Sequence, residues 1–111
     1  FDAKQRCLAL ADAGYTPPEP FSYVLPGPGG RCALDLAVRD LRLSGKVSPH
    51  DVVVTGVLAR VLTGGDTDPT QMLTEAEVLE LEVAAIDELM RQTPSLDRME
   101  HMLETGKPLR N

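Results

Sequence analysis

Residues 48–65 read SPHDVVVTGVLARVLTGG, and the fold turns on whether they form a strand or a helix. Val52, Val53 and Val54 alone favour a strand, because β-branched side chains suit a pleated surface. The spacing of Val54, Val57, Leu58 and Val61 instead follows one face of a helix. The residues before them decide the matter. Ser48 is a good N-cap, Pro49 fits the first helical position, and Asp51 sits where its carboxylate can return a capping bond or favour the helix dipole. Gly64 and Gly65 then stop the helix.

Working outward, residues 31–45 (RCALDLAVRDLRLSG) carry Ala33, Leu34, Ala37, Val38 and Leu41 as an apolar stripe, with Asp35, Arg39, Asp40 and Arg42 mostly off it. Gly45 is the expected stop. The short turn GKVS makes these two segments an antiparallel helical hairpin. Downstream, Thr74 and Glu77 form a capping box that opens the longest helix, EAEVLELEVAAIDELMRQ. Leu79, Val83, Ile86 and Met90 share one face of it, and Val78, Leu81, Ala85 and Leu89 widen that face. So broad an arc predicts a central helix contacted from more than one side. Thr93 and Pro94 restart the pattern as N-cap and first position, Leu96, Met99 and Leu103 line the last helix, and Gly106 ends it.

Upstream, residues 15–30 (YTPPEPFSYVLPGPGG) hold five prolines and three glycines. That density predicts an extended surface connector rather than a helix, with Tyr15, Phe21 and Tyr23 pinning it to an apolar surface. Residues 1–14 read as the last turns of a helix, with Ala3, Cys7, Leu10 and Ala11 on one face and Gly14 as its left-handed stop. The expectation is one all-α domain: a small bundle of about four helices (31–111), a Pro/Gly-rich connector (15–30) and a helix remnant (1–14). Because the chain begins at Phe1 with no leader pattern, it is expected to be a piece of a longer protein.

Composition narrows the function. Aromatics are 4% and Trp is absent, so the core must come from Leu, Val, Ala, Ile and Met, a mix suited to helices. The net charge of -6 argues against a nucleic-acid partner, since phosphate binding needs a basic surface. No apolar run approaches the roughly 20 residues that span a bilayer. Cys7 and Cys32 lack a CxxC partner or a His at ligand spacing and read as reduced helix residues of a cytoplasmic protein.

Local chemistry is sparse. His50 and Asp51 are adjacent, but helix neighbours point about 100° apart, and the Ser-Pro before them explains the acid as a cap. Glu100, His101 and Glu104 offer a single histidine, a weak metal set. The acids at 75, 77, 80, 82, 87 and 88 fit a solvated helix face. LPGPGG lacks both phosphate-loop spacings. No catalytic, cofactor-binding or metal-binding residue is assigned.

The closing stretch RMEHMLETGKPLRN (98–111) resembles the C-terminus of fused bacterial 3-hydroxyacyl-CoA dehydrogenase / enoyl-CoA hydratase proteins of fatty-acid β-oxidation. AKQRCLALADAGYTPPEP, LAVRDLRLSGKVSPHDVVVTGVLARVLTGGD and LTEAEVLELEVAAIDEL extend the resemblance over most of the chain, while GPGGRCAL departs from it. The resemblance implies a C-terminal accessory region of such an enzyme. NAD and every catalytic residue would then belong to upstream domains, which are the expected partners together with self-association. The alternative is a stand-alone acidic helical interaction module. In the tail, Lys107 and Arg110 follow a helix C-terminus, where cations are favoured, and Leu109 lies between them. The plain reading is a helix end with a frayed tip. The sharper one has Leu109 docking on a neighbouring domain while Lys107 and Arg110 meet acids or a CoA phosphate.

Overall fold

The computed structural model describes residues 2–111 and is mainly helical. Its elements are α1 (Asp2–Asp12), β1 (Ser22–Val24), α2 (Gly27–Leu43), α3 (Pro49–Leu62), β2 (Met72–Thr74), α4 (Glu75–Met90) and α5 (Thr93–Thr105). The all-α expectation holds, with one addition. β1 and β2 pair antiparallel, Tyr23 opposite Leu73, across the intervening α2–α3 hairpin.

The valines of α3 are helical, and the cap that decides them is present in full. Asp51 N–H donates to Ser48 Oγ (3.2 Å) and Ser48 N–H donates to Asp51 Oδ2 (2.7 Å). Thr74 and Glu77 repeat the box at the start of α4. Positive φ at Gly14, Gly45 and Gly106 closes α1, α2 and α5 as expected. At α5 the cap lies one residue earlier than expected: Gln92 is the N-cap, without a side-chain bond, and Thr93 is already helical.

The connector is shorter than its composition suggests, because α2 starts at Gly27 rather than after Gly30. Pro28 lies in the first turn, where the missing N–H had no partner to lose. The glycines here serve close approach. Gly27 has φ +60°, and a Cβ there would lie 2.1 Å from the Thr67 carbonyl oxygen. At Gly30 a Cβ would lie 2.4 Å from the Pro26 ring. Gly27 N–H donates to Thr63 O (2.7 Å), which ties the start of α2 to the end of α3. Tyr15 and Phe21 do not pin the connector; both are well exposed, and only Tyr23 is half-buried. The ladder and the bond from Glu75 N–H to Phe21 O hold this segment instead.

Beyond Gly64, where a Cβ would meet Leu25, Thr67 and Leu73, and Gly65, which lies against Leu81 of α4, the hairpin, ladder and α4 converge. Their common core is thin: Val57, Ala59, Leu73 and Ala85 are the buried apolar residues. Along α4 the side turned inward carries Val78, Leu81, Ala85 and Leu89. Leu79, Val83, Ile86 and Met90 face outward and are 46% to 67% exposed. The wide arc is therefore contacted on one side only, by α3, β2 and α5.

The dimensions agree. A compact chain of this length has a radius of gyration of about 13 Å, whereas this one measures 18.8 Å. Its accessible surface is 8324 Å², against about 6,000 Å² for a folded monomer of this mass.

Three glycines of one motif should respond differently to alanine. Gly27→Ala and Gly30→Ala should each lower stability by about 1–3 kcal/mol, through backbone strain at the first and a ring clash at the second. Gly29→Ala, with nothing within 4 Å of its Cβ position, should raise stability by about 0.5–1 kcal/mol. Thermal melts of the three variants check the order.

Candidate functional site

The densest polar cluster joins three parts of the chain that are distant in sequence. The N-terminus of α3 supplies Ser48, His50 and Asp51, α5 supplies Pro94, Ser95 and Arg98, and the tail supplies Asn111. Arg98 is the hub. Its Nη2 lies 2.9 Å from Asp51 Oδ1 and donates to Ser48 Oγ at 3.1 Å. Its Nε donates to Asn111 Oδ1 at 2.7 Å, and Nη2 also reaches the Asn111 backbone oxygen at 3.3 Å. Asn111 completes the ring: its Nδ2 donates to Pro94 O (3.0 Å), and its backbone oxygen accepts from His50 N–H (3.3 Å). The tail is therefore not a frayed tip; side-chain and backbone atoms of its last residue both hold it in place.

Asp51 is held well below the usual carboxylate range, to about 2. The main cause is the backbone hydrogen bond from Ser48, followed by the Ser48 hydroxyl and then Arg98, against an opposing cost of burial. His50 is buried, at 5% exposure, and its Nε2 lies 2.8 Å from Ser95 Oγ. A histidine beside a serine is a chemically suggestive pair. Here Asp51, the neighbouring acid, turns to Arg98, so it does not orient the ring, and the pair stitches α3 to α5.

The residues singled out in the tail lie apart from this knot. Lys107 is exposed, Leu109 is half-buried, and Arg110 is exposed, with a long 3.5 Å contact from its guanidinium to Lys46 O in the α2–α3 turn. The knot's hub, Arg98, its partner Asn111 and the His50 partner Ser95 escape sequence reasoning, because Arg98 meets its acid 47 positions away with no local pattern joining them.

Around the knot the surface becomes apolar. Ile86, Leu89 and Met90 of α4, Val54 of α3 and Met99 of α5 line an open groove of about 300 Å³. Met99, Met102 and Leu103, with the Arg98 stem, line a second of about 440 Å³. Leu103 is 87% exposed.

The glycine-rich start of α2 does not suit a dinucleotide. The space above Gly27 and Gly30 is filled by Thr67 and Pro26, so their missing side chains serve helix contacts rather than a pyrophosphate. Among the described residues, no three His, Cys, Asp or Glu side chains are grouped to hold a metal ion, and no helix is long and apolar enough to cross a membrane.

A probable 3-hydroxyacyl-CoA dehydrogenase of Bacillus subtilis (strain 168) is 40% identical to this chain over all 111 residues. The chain spans 14% of that relative's length and so corresponds to a small part of it. No family model matches the chain, and no solved structure matches it.

The knot generates a pH dependence. A carboxylate whose folded value is depressed stabilises the fold above its unfolded value, and that contribution is lost as protons bind. For Asp51 the contribution should be complete above about pH 4 and disappear between there and pH 2. Asp51→Asn should remove this component of acid unfolding in a titration followed by circular dichroism. Ser48→Ala, which deletes a cap and an Arg98 partner together, should cost about 1–2 kcal/mol at neutral pH.

Proposed function

We propose that this chain is an accessory helical region of a 3-hydroxyacyl-CoA dehydrogenase fused to an enoyl-CoA hydratase, acting in fatty-acid β-oxidation in the cytoplasm. The observation that carries the reading is the 40% identity along the whole chain to 14% of a probable 3-hydroxyacyl-CoA dehydrogenase. Two structural facts support it. The chain leaves much apolar surface uncovered, as a part that rests on something larger would. In its best-formed polar cluster the members bond one another: His50 and Asn111 line an open pocket of about 410 Å³ beside Asp97, with His50 Nε2 engaged by Ser95 Oγ and the Asn111 side chain by Arg98 and Pro94 O. Hydride transfer to NAD and hydration of the enoyl group then belong to other domains of the same polypeptide.

In this reading the α5 groove with Met99, Met102 and Leu103 seats on a catalytic domain. The ordered tail sets Leu109 against that domain and points Lys107 and Arg110 at acids or at a phosphate of CoA. An Arg fork recognises either group well.

Two measurements test this. The 111-residue chain purified alone should turn over neither 3-hydroxyacyl-CoA nor crotonyl-CoA, while the complete polypeptide turns over both; turnover by the chain alone sinks the proposal. In the complete enzyme, Lys107→Ala with Arg110→Ala should raise KM for acyl-CoA several-fold, more so at low salt, with kcat little changed. An unchanged KM removes the tail from the site. A reading frame without dehydrogenase or hydratase motifs around these residues leaves the stand-alone acidic interaction module.

A further inference from the structure

The tail is fixed at two points and runs taut between them. The first is the end of α5, where Gly106 takes a left-handed φ of 69° and Lys107 N–H donates to Thr105 Oγ1 (3.2 Å). The second is Asn111. Its side chain accepts from Arg98 Nε (2.7 Å) and donates to Pro94 O (3.0 Å), both in the first two turns of α5. Its backbone oxygen adds two longer bonds, 3.3 Å each, from His50 N–H and Arg98 Nη2. Pro94 and Arg98 lie about 18 Å and 12 Å back along the helix from Gly106, at 1.5 Å per residue. Five residues of chain reach at most about 17 Å. Residues 107–110 therefore join the two anchors with little slack. Pro108 fixes one of their backbone angles, and the Arg110 contact to Lys46 O keeps them beside the α2–α3 turn.

Two cations ride on this stretched segment. Lys107 and Arg110 are exposed, and neither joins an ion pair among the described residues. Three steps of extended backbone set them about 10 Å apart. A loose tail would lose conformational entropy at each residue on meeting a ligand. Here that loss is taken on folding, so the charges are presented already ordered. CoA carries phosphate at two places, the diphosphate and the ribose 3′ position, which suits two cations held at a fixed spacing.

We propose that Asn111 and Arg98 are positioning residues for acyl-CoA. They hold residues 107–110 stretched, so that Lys107 and Arg110 meet the phosphates of the CoA nucleotide. The proposal rests on the reading above that the tail meets CoA, and it commits the two cations to phosphate rather than to acids of a neighbouring domain. Arg98 acts through Asn111, and its other bonds, to Asp51 and Ser48, belong to the fold. Replacing Asn111 leaves those bonds in place, so this residue separates the two roles of Arg98.

The test uses the complete polypeptide with 3-hydroxybutyryl and crotonyl thioesters of CoA, and of pantetheine, which has no phosphate. Asn111→Ala should raise KM for at least one CoA thioester about fivefold at unchanged kcat. KM for the matching pantetheine thioester should stay where it was. Adding Asn111→Ala to Lys107→Ala with Arg110→Ala should raise KM no further, because the three residues serve one contact. A rise for CoA and pantetheine thioesters alike, a fall in kcat, or additive effects would make Asn111 a merely structural residue and overturn the proposal. If Lys107→Ala with Arg110→Ala leaves every KM unchanged, the tail contact with CoA fails and the proposal falls with it. If that pair raises KM and Asn111→Ala does not, the contact stands and only the positioning by Asn111 and Arg98 is overturned.

Discussion

A single hydroxyl organises the centre of this molecule. Ser48 Oγ accepts from Asp51 N–H and from Arg98. In the first role it turns a valine-rich segment into a helix; in the second it receives the helix that arrives last in the sequence. The carboxylate of Asp51 is used in the same double way, one oxygen for the Ser48 backbone and one for Arg98. The local start signal of α3 and the tertiary anchor of α5 are therefore one set of atoms. Asn111 is held through the same guanidinium, so the tail inherits its position from a cap 63 residues earlier.

The α2–α3 hairpin is clamped at both ends by different chemistry. At the turn end the knot and the Arg110 contact to Lys46 O bind it to α5 and the tail. At the far end, beside the bond from Gly27 N–H to Thr63 O, four glycines allow close approach: Gly27 to the backbone of Thr67, and Gly30, Gly64 and Gly65 to the side chains of Pro26, of Leu25 and Leu73, and of Leu81. Between these clamps few large side chains are covered. The residues that would build a core in a self-sufficient domain, among them Leu58, Leu62, Ile86 and Leu103, remain at least half exposed.

What could be read from the sequence follows from how local each signal is. Both capping boxes lie within four residues, and both are present; so are the glycine stops of α1, α2 and α5. The start of α2 at Gly27 is hidden in the sequence, because proline and glycine read as helix breakers. Pro28 falls where a helix tolerates it, and the glycines answer to Thr67 and Pro26. On α4 the apolar arc was legible but its orientation was not, since periodicity gives two equivalent faces and only contact with α3 selects Val78, Leu81 and Ala85. The β1–β2 ladder and the Arg98 hub could not be seen at all: each joins residues about 50 positions apart with no spacing rule between them.

The ladder's position also implies an order of assembly. Closing a loop of roughly fifty residues to pair β1 with β2 carries an entropic cost that rises with the logarithm of loop length. Once α2 and α3 have zipped together through their short turn, Gly27 and Thr63 are in contact, and the strands flanking them are separated by an effective loop of only about ten residues. The saving is on the order of 1.4 kcal/mol, enough to speed that step about tenfold. The hairpin is thus the nucleus on kinetic grounds, the strands close behind it, and α4, whose first residue is bonded to Phe21, is positioned by that closure. Substitutions at the hairpin turn should act on the folding rate, and those in β1 chiefly on the rate of unfolding.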